Sequence, residues 1–81
     1  MNFTYVYILQ SESTPDTFYT GRTANLRSRL AKHNEGAVPH TKKFRPWKIK
    51  TAVAFSVPQK ALDFERYLKS GSGRAFAQKR L

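Results

Sequence analysis

Five residues of this chain carry side chains suited to chemistry on a phosphate group: Tyr7, Tyr19, Arg29, His33 and Glu65. Phenols and imidazoles exchange protons with water, a guanidinium holds a phosphate through paired hydrogen bonds, and a carboxylate binds divalent cations. Together they describe a phosphate site with a candidate base, a cation and a carboxylate. Each residue type is common in folded proteins, so the predicted helices and strands must show whether the five can meet.

The carboxylate of Glu65 lies on the inward face of a helix predicted over residues 58–69. The stripe of this helix at the i, i+3, i+4 and i+7 spacing consists of Ala61, Phe64, Glu65 and Leu68. Burying an ionised carboxylate is costly unless a cation meets it. A salt bridge to one of the chain's 15 Lys and Arg residues explains Glu65 as well as a catalytic or metal-binding role does. The sequence weighs these two interpretations evenly.

Arg29 and His33 lie one turn apart on a second helix, predicted over residues 25–34. The inward stripe of this helix consists of Leu26, Leu30 and His33. A single histidine on an apolar stripe is more often a hydrogen-bonded core residue than a catalyst. The neighbouring guanidinium shifts the interpretation toward phosphate binding, because arginine grips a phosphate through two parallel hydrogen bonds.

Tyr7 and Tyr19 belong to two strands, predicted over residues 4–10 and 18–23 with turn-forming residues between them. Both faces of the first strand are largely apolar, which predicts a central position in the sheet. The second strand completes an antiparallel hairpin, in which the two phenols can approach each other. Gly21 within the second strand indicates a bulge or a close approach by a ligand.

The remaining segments complete the predicted domain. Residues 37–46 are a basic loop with room for one short helical turn, and residues 47–57 are a third strand. The residues predicted to share one face of that strand are Ile49, Thr51, Val53, Phe55 and Val57. Gly71 and Gly73 break the preceding helix, and residues 74–79 form a last short helix. The order ββαβαα predicts an α+β domain with a small antiparallel sheet.

Length and composition exclude several classes of protein. The 81 residues leave room for one domain, predicted over residues 1–81, and not for a two-domain enzyme. The absence of cysteine excludes disulfides, thiolate metal sites and a cysteine nucleophile. The sequence contains no apolar run that could span a bilayer and no signal peptide, so we expect a cytoplasmic protein without a membrane partner.

Net charge is the strongest compositional signal. The chain has 15 Lys and Arg residues against 5 Asp and Glu residues, a formal net charge of +10. A domain this basic attracts polyanions, with nucleic acid first among them. Interleaved Tyr, Phe and Trp residues indicate a folded positive face rather than a disordered basic tail. The residues that we predict to contact phosphates are Arg22, Lys42, Lys43, Arg45 and Lys48.

The motif residues, taken in order, resemble those of the GIY-YIG nuclease domain. They are Tyr5-Val6-Tyr7, then Tyr19-Thr20-Gly21, then Arg29 with His33, then Glu65. The resemblance covers about residues 3–69 and is closest in kind to small standalone members similar to the N-terminal domain of an excinuclease ABC component. It implies a three-stranded antiparallel sheet flanked by helices, with an active site that hydrolyses a DNA phosphodiester using one divalent metal ion.

The resemblance also implies a role for each site residue. Glu65 holds Mg²⁺ or Mn²⁺, Arg29 steadies charge on the phosphoryl oxygens, and His33 assists through hydrogen bonding or proton transfer. Tyr7 or Tyr19 positions or deprotonates the attacking water, and the resemblance leaves open which. Many members use an asparagine after the glutamate, and this chain has none there, so that role is vacant.

Two functions from different classes follow from the sequence. The first is a metal-dependent DNA endonuclease that is selective for structure or guided by a protein partner. The alternative is a non-catalytic module that binds DNA or RNA through its basic face. A ribosome-associated protein would explain the charge but not Glu65. Convergence of the site residues favours catalysis, whereas a Glu65 closed off by a salt bridge favours the binding module. The sequence leaves the oligomeric state open.

Overall fold

Seven helices and strands follow one another along residues 2–81, the part of the chain that the computed structural model describes. In chain order they are β1 (Thr4–Ser11), β2 (Phe18–Thr23), α1 (Leu26–Glu35), α2 (Pro39–Lys42), β3 (Trp47–Phe55), α3 (Pro58–Leu68) and α4 (Gly71–Arg80). The strands pair antiparallel in the order β2-β1-β3, which confirms the predicted α+β fold. No helix within residues 2–81 has the length and apolar character needed to cross a membrane.

β1 is the middle strand, and its side chains alternate between two apolar cores. The core beneath α3 and α4 consists of Val6, Ile8, Ala61 and Leu68. The core beneath α1 consists of Tyr7, Leu9 and Trp47. This arrangement confirms the central position predicted from the two apolar faces of the strand. It also places the phenol of Tyr7 on the side of the sheet that α1 covers.

An extra residue in β3 changes which side chains face α1. Thr51 lies opposite Ile8, but Ile49 lies opposite Leu9, so Lys50 is the additional residue of a β-bulge. Directly opposed residues in antiparallel strands share a face, which places Ile49 on the α1 side of the sheet. The predicted grouping of Ile49 with Thr51 on one face is therefore wrong, because the bulge reverses the alternation between them.

Both ends of α1 are capped, which fixes the helix that carries Arg29 and His33. The side-chain oxygen of Asn25 accepts a hydrogen bond from the backbone N–H of Ser28 at 3.0 Å. Gly36 ends the helix with a φ of 81°, a left-handed conformation that favours glycine. The predicted helix agrees with the observed one to within a residue at each end.

α4 is longer than predicted, because Gly71 and Gly73 lie within it. The Ser70 hydroxyl accepts a hydrogen bond from the backbone N–H of Gly73 at 3.1 Å and so caps the helix. Gly73 is buried against the end of α3, where a Cβ atom would overlap the backbone carbonyl of Tyr67. A Cβ atom on Gly71 would have no neighbour within 4 Å. Gly73 therefore permits the close approach of α4 to α3.

We expect Gly73→Ala to lower the free energy of unfolding by about 3 kcal/mol, because α4 must move away from α3 and from the core beneath it. Gly71→Ala is the matched control, since it adds the same methyl group to the same helix in open space. Urea unfolding followed by circular dichroism measures both variants. Equal stability of the two would contradict the close packing at Gly73.

Candidate active site

Tyr7, Tyr19 and His33 form one aromatic cluster on the α1 side of the sheet. Tyr19 lies opposite Leu9 in the β1–β2 ladder, so its side chain shares a face with that of Tyr7. Ring centroids are 4.9 Å apart for Tyr19 and His33, and 6.4 Å apart for the two tyrosines. The hydroxyl oxygen of Tyr7 is 3.1 Å from Nε2 of the fully buried His33. The fold thus brings three of the five predicted residues into contact.

A chain of hydrogen bonds behind His33 assigns its tautomer. The Thr41 hydroxyl donates to the backbone carbonyl of Val38 at 3.3 Å, and its oxygen lies 2.8 Å from Nδ1 of His33. A hydroxyl that already donates its hydrogen must accept from the imidazole, so Nδ1 carries the hydrogen. Nε2 is then the acceptor for the hydroxyl of Tyr7. The imidazole is therefore oriented as a base toward the phenol.

Thr41 is a site residue that the sequence did not reveal. It is buried in α2, and its backbone carbonyl accepts a hydrogen bond from Nε1 of Trp47 at 2.8 Å. The contact between Thr41 and His33 depends on how residues 37–46 fold back against α1. No helical or strand spacing predicts that contact, and the only signal was the helical turn expected in this segment.

Tyr7 and His33 are both held in their neutral forms. Burial, followed by the neighbouring phenol of Tyr19, raises the pKa of Tyr7 to about 12. Burial, followed by the positive charge of Arg29, lowers the pKa of His33. At neutral pH the phenol is therefore protonated and the imidazole is uncharged. Tyr7 can take a proton from water only as its own proton leaves, and Nε2 of His33 is placed to accept it.

Gly21 provides the space that the Tyr7 phenol occupies. The two residues lie opposite each other in the β1–β2 ladder. A Cβ atom at position 21 would lie 2.6 Å from Cζ of Tyr7 and 3.1 Å from Cε2 of Tyr19. The predicted bulge is wrong, because the register of β2 is continuous here. The close approach is made by the protein's own phenol rather than by a ligand.

Arg29 lies beside the aromatic cluster. It is half-buried in α1 and, with Tyr7, lines a small recess between the helix and the sheet. Its charge opposes the effect of burial on the pKa of Tyr7 and adds to the effect of burial on the pKa of His33. The structure therefore places a fixed positive charge next to the phenol–imidazole pair, as the sequence predicted.

Glu65 is held by two cations at the edge of this centre. Nε of Arg22 lies 2.9 Å from one carboxylate oxygen, and Nζ of Lys69 lies 3.0 Å from the other. Burial alone would raise the pKa of this carboxyl, but the hydrogen bonds from Lys69 and Arg22 lower it overall. The carboxylate is therefore ionised, and its charge extends to Tyr7, whose pKa it helps to raise. Lys69 was missed in the sequence, although its i, i+4 spacing from Glu65 is a known signal.

The ion pairs of Glu65 are the arrangement that we expected to favour the binding module. The Glu65 side chain is 14% exposed, whereas that of Lys69 is 52% exposed. Such exposed pairs stabilise by at most about 1 kcal/mol. A divalent cation can therefore displace the lysine from its carboxylate oxygen, and the ion pairs do not exclude a metal-binding role.

The residues present fit a magnesium or manganese ion that is held by a single carboxylate. Within residues 2–81 there is no cluster of three or more His, Cys, Asp or Glu residues that could enclose a metal. Mg²⁺ keeps several waters and is commonly bound through one or two carboxylates together with substrate phosphates. Glu65 supplies one ionised carboxylate, and Arg22 orients it from the side opposite Lys69.

The predicted phosphate contacts fall into two groups. The four exposed residues around α2 and the start of β3 are Lys42, Lys43, Arg45 and Lys48. Arg45 is fixed there by a hydrogen bond from its Nε to the backbone carbonyl of Lys42 at 2.9 Å. Arg22 stands apart, because its guanidinium binds Glu65. Contact of these residues with phosphates stays a prediction.

The sequence matches the GIY-YIG catalytic domain over residues 3–80. The chain therefore belongs to the GIY-YIG family, as its motif residues indicated. The match extends the predicted range from about residue 69 to the end of α4.

Three relatives show the range of proteins to which the chain is similar. It is 40% identical over 76 residues to the structure-specific endonuclease subunit SLX1 of Debaryomyces hansenii, covering 84% of this chain and 22% of that protein. It is 42% identical over 72 residues to the protein of the same name in Scheffersomyces stipitis, covering 79% and 21%. A UPF0213 protein of Syntrophus aciditrophicus is 45% identical over 51 residues, covering 60% and 56%. The chain thus spans about a fifth of the length of the two SLX1 relatives.

Proposed function

We propose that this chain is a metal-dependent endonuclease that hydrolyses DNA phosphodiester bonds and selects its substrate by structure. The observation that carries the proposal is the buried hydrogen bond between Tyr7 and His33 beside Arg29, in a chain of the GIY-YIG family. A domain that only binds nucleic acid has no need of a neutral phenol–imidazole pair in its core. The name of the SLX1 relatives supports structured DNA as the substrate.

Tyr7 is the residue that we assign to the attacking water. As its phenol oxygen takes a proton from water, the phenol's own proton passes to Nε2 of His33, which Thr41 holds in the accepting tautomer. Tyr19 packs against both rings and orients them. Arg29 steadies the negative charge that develops on the phosphoryl oxygens.

Glu65 is the residue that we assign to Mg²⁺ or Mn²⁺, in place of its contact with Lys69. A divalent cation bound there lowers the pKa of a coordinated water and neutralises charge on the leaving oxygen. Arg22 keeps its hydrogen bond to Glu65 and so fixes the direction of the carboxylate. Arg22 therefore acts on the substrate through Glu65 more than through direct phosphate contact.

A protein partner is part of the proposal, because the SLX1 relatives are named as subunits and extend well beyond the matched region. A catalytic domain of this size has little surface for reading DNA sequence. We propose that the shape of the DNA and the partner together determine where it cuts.

The second candidate is the non-catalytic binding module, which the two ion pairs of Glu65 favour. Forked, flapped, single-stranded and blunt duplex DNA of matched sequence, incubated with Mg²⁺ or Mn²⁺, distinguish the two functions. We expect the branched forms to be cut faster than the blunt duplex. Binding of every DNA without cleavage of any would favour the binding module, and equal rates on all four would contradict selection by structure.

Neutralising the four cations around α2, by replacing Lys42, Lys43, Arg45 and Lys48 with glutamine, is expected to flatten the salt dependence of DNA binding. Each lost phosphate contact removes about 0.9 from the slope of log K against log salt, so the four together remove about 3 to 4. Fluorescence anisotropy across a salt series measures the slope. The matched control replaces four exposed cations elsewhere, which are Lys60, Arg66, Lys79 and Arg80. An unchanged slope in the first variant would remove the assignment.

We expect Gly21→Ala to slow DNA cleavage by about 100-fold, because the new methyl group displaces the Tyr7 phenol and small displacements of reacting groups are costly. Gly71→Ala, whose Cβ meets nothing within 4 Å, is expected to cut at the wild-type rate. Single-turnover rates on the preferred DNA compare the two. A wild-type rate in Gly21→Ala would show that the position of the phenol does not limit the reaction.

A further inference from the structure

A groove follows the outer edge of β2, the strand at one side of the sheet. It consists of two adjoining recesses of about 500 and 420 Å³ that share Phe18 and Arg74 in their walls. The first recess also includes Tyr19 and Lys69, and the second includes Lys50. We call these two recesses together the edge groove. None of the steps assigned to the catalytic residues uses Phe18, Lys50 or Arg74.

The edge groove begins at the catalytic centre. Tyr19 belongs both to the aromatic cluster and to the wall of the first recess. Lys69 belongs to the same wall, and its Nζ lies 3.0 Å from the carboxylate of Glu65. A DNA strand whose phosphate lies at Glu65 therefore continues into this groove without leaving the protein surface.

The chemistry of the edge groove suits an unpaired strand. Lys50, Lys69 and Arg74 supply three positive charges, against the one carboxylate of Asp16 in the second recess. Phe18 is 48% exposed between the two recesses, and Nζ of Lys50 lies 5.0 Å from the centre of its ring. Grooves that bind single strands combine cations for the backbone with exposed aromatic rings on which bases stack. The bases of a duplex are already stacked on one another, so a duplex cannot use Phe18 in this way.

We propose that the edge groove binds the unpaired strand of a branched DNA next to the phosphate that is cut. One base stacks on Phe18, and the backbone on either side is held by Arg74 and Lys50. This inference rests on the proposed function, and it names the substrate class of that site as DNA with a single-stranded branch. It gives a small domain a physical means of preferring branched over continuous duplex DNA.

The test measures binding in the absence of divalent cations, so that its result does not depend on cleavage. Fluorescence anisotropy compares a short oligodeoxythymidylate with a blunt duplex for the wild type, Phe18→Ala and Arg74→Gln. We expect Phe18→Ala to weaken binding of the single strand by about tenfold, because stacking of one base on an aromatic ring contributes about 1–3 kcal/mol. Binding of the duplex is expected to stay unchanged in Phe18→Ala.

Matched controls come from elsewhere on the surface. Phe3→Ala removes another exposed phenylalanine, 36% exposed and outside both recesses, and Arg66→Gln removes an exposed arginine of α3. Both controls are expected to bind the single strand within twofold of the wild type, which is less than about 0.5 kcal/mol. Arg74→Gln is expected to weaken single-strand binding more than Arg66→Gln does.

Two results would overturn the edge groove. The first is a Phe18→Ala variant that binds the single strand as tightly as the wild type. The second is an equal loss of affinity for single strand and duplex, which would mean that the ring does not distinguish them. A wild type that shows the predicted binding differences but cuts no DNA would refute the proposed function and leave the groove in place.

Discussion

Glu65→Gln is expected to slow DNA cleavage by about a thousandfold while DNA affinity stays nearly intact. Glutamine keeps the length of the side chain and an oxygen that can still accept the hydrogen bond of Arg22. It lacks the negative charge that holds a divalent cation, so the loss falls on the chemical step rather than on folding or binding. Single-turnover cleavage and fluorescence anisotropy on the same DNA separate the two effects.

Asp63→Asn is the matched control for this change, since it also converts a carboxylate to an amide on α3. Asp63 is exposed and accepts a hydrogen bond from Gln59 at 2.9 Å, away from the catalytic cluster. We expect this variant to cut at the wild-type rate. A Glu65→Gln enzyme that also cuts normally would remove the metal-binding role from Glu65 and return it to a structural ion pair.

Tyr7→Phe is expected to slow cleavage by about a thousandfold, because it removes the hydroxyl that relays a proton from water to His33. The ring remains in place over Gly21, and the lost hydrogen bond lowers the free energy of unfolding by about 1 kcal/mol. The fold is therefore expected to survive the substitution. Cleavage rates at saturating enzyme, with thermal unfolding alongside, measure both effects.

Tyr19→Phe is the control within the same cluster. Its rate is expected to fall much less, because the hydrogen bond to Nε2 of His33 belongs to Tyr7. This pair of variants also decides which tyrosine serves as the base, a question that the sequence left open. A larger loss in Tyr19→Phe than in Tyr7→Phe would transfer the role of base to Tyr19.

Most of the fold could be predicted from local patterns in the sequence. The two apolar faces of residues 4–10 predicted the central strand, and the bounds of β2 match the prediction at both ends. The bulge at Lys50 could not be predicted, because apolar residues at 49, 51 and 53 fit an unbroken strand. Only pairing with β1 shows that Ile49 faces Leu9 while Thr51 faces Ile8.

The candidate site was predictable to the extent that single elements carry it. Helical spacing placed His33 and Glu65 on inward stripes, and the structure buries the first and largely encloses the second. Contacts between elements were not predictable, since they depend on how the chain folds back. Thr41 reaches His33 through α2, and Gly21 lies beneath the Tyr7 phenol through the pairing of β1 with β2.

The most direct test of the nuclease assignment is the nicking of supercoiled plasmid DNA by the purified wild-type chain. We predict conversion to open circles in Mg²⁺ or Mn²⁺ and none when EDTA removes the metal. Binding of the plasmid in an anisotropy or gel-shift measurement is expected in both conditions. Intact supercoiled DNA in the presence of metal, with binding retained, would contradict the account and favour the non-catalytic module.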